Sequence, residues 1–280
     1  MRNATLAGAT LLACALAVLG TGCNKLKSRD DLNKGVQAYR NAKYNDAVNL
    51  FQEAADLDPE NTSARTYLAI AYMMQWIPGA TSPENIQFAA KAREEFGKVL
   101  AKDPNETTSL ASLASLAFNE ADSLGPEDKI KKLDEAADWY KKLAAADPKN
   151  RDALYGLGAI AQKKFYPALM LARVNANMKP DDPGPLKDKK TKAELAAKYS
   201  PVIEEGMQDL KKALDIDKDS DDAMAYMNLL IREKADLADD KDEYKKQIEE
   251  ADKWLQMALD TKKRKTEAAE KKSAGGIVQE

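Results

Sequence analysis

The sequence predicts an all-α protein made of successive helix pairs, and three observations support this fold class. An Asp-Pro mark or a close variant recurs along the chain, at Asp58-Pro59, Asp103-Pro104, Asp147-Pro148 and Asp217-Lys218. Before each mark, apolar or small residues recur at positions i, i+4 and i+7, which form one face of an α-helix. Helix-capping residues open the segments that follow, at Asn61, Asn150 and Ser220. Because proline cannot continue a helix, each Asp-Pro mark ends one helix and precedes another.

Five amphipathic segments result, and we expect their apolar faces to be buried. The positions that define these faces are Ala47/Phe51/Ala54, Ala92/Phe96/Val99, Ala136/Tyr140/Leu143, Gly206/Leu210/Ala213 and Ala251/Leu255/Ala258. No such face is stable alone, so the segments must pack against one another.

The two kinds of segment together resemble the tetratricopeptide repeat (TPR), a family in which each unit is a hairpin of helices A and B. Residues 28–61 carry the best match, with Gly35 at the small position of helix A and Ala47, Phe51, Ala54 and Pro59 at the helix-B positions. Asp31 and Lys34 depart from the family's tryptophan and leucine. The resemblance implies a right-handed α-solenoid of about five TPR-like helix hairpins with inter-helix insertions, each hairpin burying its apolar face against its neighbours.

The repeat domain is expected to span residues 28–265 and to be followed by a disordered tail, 266–280. Its units are about 28–61, 62–106, 107–150, 151–220 and 221–265. Each later unit is longer than the 34 residues usual for the family, and the excess lies between its two helices. Pro78, Gly79 and Pro83 require a loop in the second unit. The fourth unit contains a 165–200 insertion that we expect to be a helical extension followed by a mobile loop at 174–192.

The N-terminus predicts an export signal. Arg2 precedes an uncharged run whose apolar part, about residues 6–19, is shorter than the roughly 20 residues of a membrane span. Residues 19–23, LGTGC, resemble the bacterial lipobox, although Gly20 stands where a larger apolar residue is usual. The resemblance implies a lipoprotein signal peptide, 1–22, cleavage before Cys23, and a lipidated tether, 23–27. The alternatives are lipidation at Cys14, which we interpret as an apolar filler, and an uncleaved signal anchor.

A lipidated Cys23 would make the lipid bilayer a partner, through acyl chains such as palmitate. We therefore expect a location in the cell envelope, anchored in the outer membrane and facing the periplasm. Asn24, rather than aspartate, follows the cysteine, and in enteric-type lipoproteins this permits transfer to the outer membrane.

The composition argues against catalysis and against nucleic-acid binding. The 280 residues include no histidine, and both cysteines lie in the first 23 positions. This removes histidine-dependent triads and the commonest metal ligands. The net charge of −3 gives no basic face for nucleic acid. We expect no enzyme, catalytic residue, cofactor or metal.

Three motifs with a possible ligand are each assigned a structural role. Gly156, Gly158 and Ala161 imitate a dinucleotide fingerprint but lie inside a predicted helix, where Gly158 is a close-packing position. Asp217-x-Asp219-x-Asp221 imitates a calcium loop but lacks its glycine and final glutamate. The basic run 262–265 is expected to be solvated.

The resemblance further implies that helix A of each unit lines a concave groove. The groove residues carried over are Tyr39, Arg40, Ile70, Met73, Met74, Phe118, Asn119, Tyr155, Gln162 and Arg232, and the same positions include Leu229 and Glu233 in the fifth unit. This mixed apolar and neutral surface suits an extended or helical peptide. The alternative is that these side chains pack against the insertions.

These observations predict a membrane-anchored envelope lipoprotein that acts as a TPR scaffold for protein–protein interaction. The roles considered are outer-membrane assembly, pilus biogenesis and cell-wall enzyme recruitment. The alternative is an enzyme or small-molecule carrier with a site in the 165–200 insertion.

Overall fold

The computed structural model describes residues 22–179 and 182–275. All regular structure in these ranges is helical, which confirms the all-α prediction. The chain forms two compact units that meet between Gly125 and Pro126. This boundary lies inside the third repeat unit expected from the sequence, 107–150.

Within residues 22–125, the first unit contains five α-helices and one short 3-10 helix. Residues 22–40 are helical (α1), so the expected tether, 23–27, continues into the first repeat without a break. The other elements are α2, Tyr44–Leu57; α3, Thr62–Met73; α4, Pro83–Lys102; α5, Thr107–Glu120; and the 3-10 helix Ala121–Ser123. Helices α2 to α5 pack in succession. The loop before α4 contains Pro78 and Gly79, as their helix-breaking chemistry requires.

Within residues 126–179 and 182–275, the second unit contains five helices. They are α6, Pro126–Ala146; α7, Arg151–Asn175; α8, Lys189–Ile216; α9, Asp221–Ala235; and α10, Lys241–Gly275. Helices α6 to α10 pack in succession, and α7 also contacts α9. Helix α7 continues through Pro167 and α8 through Pro201, so these prolines do not end their helices.

Helix α10 differs from the sequence prediction of a disordered tail from residue 266. It remains helical to Gly275, because this stretch is rich in Ala, Glu and Lys, which are strong helix formers. The basic run at 262–265 is exposed, as expected for a solvated segment, and two of its residues also form ion pairs. Arg264 pairs with Asp219 and Lys265 pairs with Asp221, and these contacts tie α10 to the start of α9.

The apolar faces predicted from the sequence form the core. Phe51, Phe96 and Leu210 are fully buried, as are the small residues beside them. Two positions differ: Tyr140 is half-buried and Leu255 is 40% exposed. Leu255 lies on α10, the last helix of the described residues.

Glycines allow the closest helix contacts, as expected for Gly35 and Gly158. A Cβ on Gly35 would lie 2.5 Å from the Phe51 ring, and one on Gly158 would overlap the Leu210 side chain. The dinucleotide-like motif therefore serves helix packing.

The helix ends use the capping residues that the sequence indicates. The side chains of Asn61, Asn150 and Ser220 each accept a hydrogen bond from the backbone N–H three residues later. Asp217 of the calcium-like motif pairs with Arg151. Because all three acidic residues of this motif have basic partners, the motif is a helix cap with ion pairs.

The fourth-unit insertion lengthens α7 and α8 and joins them through residues 176–188. Met178 and Leu186 in this connection are buried in the core of the second unit. Leu186 N–H also donates to the Asp236 carbonyl at 2.9 Å. The segment expected to be a mobile loop, 174–192, therefore has two anchored stretches, one before and one after residues 180–181.

Candidate functional site

All ten predicted groove residues keep some solvent exposure. Seven lie in the first unit and three in the second: Tyr39, Arg40, Ile70, Met73, Met74, Phe118 and Asn119, then Tyr155, Gln162 and Arg232. Surface position makes them available to a partner, and their role in binding a peptide stays a prediction.

The groove residues of the first unit lie on α1, α3 and α5 or directly after α3. Met74 is 49% exposed and is followed by Ile77, which is 64% exposed. The Tyr39 ring meets the edge of the Tyr44 ring at 5.6 Å, and burial raises the pKa of the Tyr39 hydroxyl. The Asn119 amide donates to the Ser115 carbonyl at 2.8 Å. This side of the unit thus presents apolar side chains next to few charges.

The three groove residues of the second unit are held by contacts inside that unit. The Tyr155 ring meets the edge of the Tyr226 ring at 5.4 Å, and burial raises the pKa of Tyr155. Gln162 Nε2 on α7 donates to Glu233 Oε1 on α9 at 2.7 Å. Arg232 pairs with Asp252 of α10.

A cavity of about 400 Å³ lies beside these residues in the second unit. Helix α7, the 176–188 connection, α9 and α10 contribute its walls, which are Tyr166, Leu169, Met170, Arg173, Asp182, Leu229, Arg232, Glu233, Asp236 and Tyr244. Its volume lies in the range of about 300–1,000 Å³ that is common for small-ligand sites. Of the ten predicted groove residues only Arg232 lines this cavity, although the same repeat register also places Leu229 and Glu233 on this face.

A buried ion pair forms one side of the cavity. Arg173 Nη1 donates to Asp236 Oδ2 at 2.6 Å, and both side chains are less than a tenth exposed. Arg173 Nη2 also donates to the carbonyls of Lys179 and Asp182 at 2.8 and 2.6 Å. Burial raises the pKa of Asp236 although the Arg173 guanidinium opposes this. Arg173 thus fastens the 176–188 connection to α7 and α9.

Glu233 is the unusual group of this cavity. It is 7% exposed, and one carboxyl oxygen accepts the Gln162 hydrogen bond. The other oxygen, Oε2, is fully buried and receives no hydrogen bond from any described part of the protein. Burial, aided by the nearby Asp236 charge, raises the pKa of Glu233 to about 8 although Gln162 opposes this. Glu233 is therefore mostly protonated at pH 7.

The predicted lipid site, Cys23, is exposed and unbonded, whereas Cys14 lies outside the described residues. No helix within residues 22–179 and 182–275 combines the length and apolar character needed to cross a membrane. Over the same ranges, no three acidic or cysteine side chains converge as metal ligands would.

Known structures share this fold at low sequence identity. The crystal structure of the MamA protein aligns with a TM-score of 0.54 and 15% identity, covering 86% of this chain and 94% of MamA. A second MamA structure aligns with a TM-score of 0.52 and 16% identity, covering 83% of this chain and 96% of MamA. MamA 41-end from Desulfovibrio magneticus RS-1 aligns with a TM-score of 0.50 and 16% identity, covering 85% of this chain and 96% of that structure. The chain therefore has a TPR-type, all-α solenoid fold. No protein-family model and no curated protein matches the sequence.

Proposed function

We propose that the chain is a lipid-anchored envelope protein whose helical repeats hold a protein or peptide partner. The observation that carries this proposal is the exposure of the groove residues on α1, α3 and α5 within a stack of hairpins. Met74 and the neighbouring Ile77 expose apolar surface to water. Burying such surface against a partner is the main source of association free energy.

Partner binding is tested by site-specific photo-crosslinking in intact cells. A benzophenone amino acid at Met74 should capture a discrete partner. The same amino acid at Ile86 is the matched control, because Ile86 is 59% exposed but lies on α4, outside the predicted groove. Capture at neither position, or equal capture at both, would contradict a partner-binding groove on this face.

The lipid anchor rests on the LGTGC sequence and on the exposure of Cys23. Cys23→Ser should abolish labelling by alkyne-tagged palmitate and release the protein from membranes, whereas Cys14→Ser should leave both unchanged. Labelling that persists in the Cys23 variant would refute the anchor. Outer-membrane assembly, pilus biogenesis and cell-wall enzyme recruitment remain the proposed settings, because all three need an envelope scaffold.

The cavity favours a second candidate function, a small-molecule carrier with its site at the 165–200 insertion. Four of the ten wall residues, from Tyr166 to Arg173, lie at the start of that segment. Mass spectrometry of the intact protein, purified without denaturation, would show a bound small molecule if this candidate were correct. The scaffold is the stronger proposal, since the groove residues of the first unit have no role in a carrier.

A further inference from the structure

Among the described wall groups of the cavity in the second unit, one carboxyl oxygen is buried without a hydrogen-bond partner, and it is an acceptor when Glu233 is ionised. Glu233 Oε2 receives no hydrogen bond from the described protein, although the side chain is more than nine-tenths buried. A buried polar atom without a partner is destabilising. A ligand that donates to this atom would remove that penalty.

The cations around the cavity are already engaged, which disfavours an anionic ligand. Arg173 donates to Asp236 and to the carbonyls of Lys179 and Asp182. Arg232 donates to Asp252. Both guanidinium groups therefore already have a carboxylate partner.

The charge balance favours a cation. When Glu233 is ionised, it and Asp236 place two carboxylates beside the single buried charge of Arg173. Asp182 adds a carboxylate at the wall, while the Arg232 charge is balanced by Asp252. One incoming positive charge would compensate the excess.

The shape of the acceptor distinguishes between kinds of cation. A guanidinium binds best through two parallel bonds to both oxygens of a carboxylate, but Gln162 already occupies Oε1 of Glu233. An ammonium group is a compact donor that needs only one oxygen. The apolar walls Leu169, Met170 and Leu229 suit the unbranched stem of such a group.

We infer that this cavity takes the side chain of a lysine of the partner protein, with its ammonium group donating to Glu233 Oε2. The inference rests on the proposed scaffold function and assigns one subsite of the partner-binding face. Leu229, Arg232 and Glu233 connect the cavity with the predicted groove of the second unit, because all three occupy groove positions of the fifth repeat.

Proton displacement gives this subsite a distinctive signature. Because the pKa of Glu233 is about 8, lysine must displace a proton at pH 7. The ionised fraction of Glu233 rises from about 0.09 at pH 7 to about 0.9 at pH 9. Lysine itself stays charged in this interval. The apparent Kd should therefore fall about tenfold between pH 7 and pH 9.

The experiment is calorimetric titration of the intact protein in detergent with acetyl-Ala-Ala-Lys-Ala-Ala-amide. We expect heat that depends on the ionisation enthalpy of the buffer at pH 7, and about tenfold tighter binding at pH 9. Peptides with norleucine or trimethyl-lysine in place of lysine should bind at least tenfold more weakly at pH 9, since neither can donate to Oε2. These comparisons need no protein variant.

Two protein variants test whether the pH-dependent binding of the lysine peptide requires Glu233. Glu233→Gln should remove the pH dependence and weaken binding at pH 9 at least tenfold. Glu204→Gln, on the exposed face of α8 outside the cavity, should behave as the unmodified protein. A melting curve verifies that each variant is folded.

Each contrary outcome has a definite meaning. Equal binding of the lysine and norleucine peptides, or tenfold tightening that survives in Glu233→Gln, overturns the lysine subsite. If crosslinking at Met74 still captures a partner, the scaffold proposal stands without this subsite; if it captures none, both fall. Free butylamine binding as tightly as the peptide would refute a protein partner as the source of the ammonium group and favour a carrier.

Discussion

Replacing Arg173 with methionine is expected to destabilise the second unit by about 3–5 kcal/mol, the cost of leaving a buried charge without its partner. Methionine has a similar length and fills the same space, so lost packing contributes little. Asp236, whose side chain is 7% exposed, then keeps a charge with no counter-charge. The carbonyls of Lys179 and Asp182 lose their donor but lie nearer the surface, where water replaces it.

The matched control is Arg151→Met. Arg151 also lies on α7 and also pairs with an aspartate, Asp217, but its side chain is 43% exposed. An exposed ion pair contributes at most about 1 kcal/mol, so this control should barely change stability. The two arginine side chains differ chiefly in burial, being 4% and 43% exposed. The comparison of their melting temperatures therefore tests the effect of burial on the ion pair.

Unfolding of the second unit is best followed by tryptophan fluorescence in a Trp76→Phe background. The remaining tryptophans, Trp139 and Trp254, both lie in the second unit. For a unit of this size, each kcal/mol shifts the melting temperature by about 2–4 °C. The Arg173 variant should therefore melt about 6–20 °C lower, and adding Asp236→Asn should recover most of the loss.

The pH dependence has a definite sign. Acid protonates Asp236 and removes the unpaired charge, so the destabilisation by Arg173→Met should shrink as the pH falls below the raised pKa of this carboxyl. Equal melting temperatures of the Arg173 and Arg151 variants would refute a stabilising role of the buried Arg173–Asp236 ion pair. So would a failure of Asp236→Asn to restore the stability of the Arg173 variant.

Three further predictions concern the core and the titration of the cavity. Phe51→Ala should cost about 3–5 kcal/mol, because the ring is fully buried; an unchanged urea midpoint would contradict the repeat register. Gly35→Ala should cost about 1–3 kcal/mol by pressing on the Phe51 ring. Gly97→Ala, which meets open space, should instead stabilise by about 0.5–1 kcal/mol, and melting temperatures in any other order would count against this packing. The pKa of Glu233 is raised from 4.5 to about 8, so the folded state holds an extra proton and loses stability as the pH rises between these values. Glu233→Gln should therefore gain about 3 kcal/mol relative to the unmodified protein between pH 5 and pH 8; parallel pH–stability curves for the two proteins would contradict the raised pKa.

Much of the fold follows from short-range sequence patterns. The helical period alone located the buried positions of the first units, including Phe51 and Phe96. The Asp-Pro marks placed helix ends, and the caps at Asn61, Asn150 and Ser220 make the expected hydrogen bonds. These features depend on residues within about one helical turn of each other, so the sequence displays them directly.

The end of the chain was harder to predict. Basic and acidic residues near 266–275 resemble a solvated tail when read alone. The helix formers in this stretch favour α10, and Arg264 and Lys265 just before this stretch are held by acidic residues more than forty positions earlier. A short segment of sequence read alone does not indicate such a long-range contact.

The sequence by itself therefore determined an all-α chain of packed hairpins and the faces that those hairpins bury. The position and the lining of the cavity became apparent only from the tertiary structure. Its key contacts join residues 63 positions apart, Arg173 and Asp236, and 71 positions apart, Gln162 and Glu233. Helical periodicity shows which face of one helix is buried, but the partner across the interface is set by how the 176–188 connection and helices α7, α9 and α10 pack together. The unusual chemistry of Glu233 arises from that packing, because burial and a neighbouring carboxylate raise its pKa.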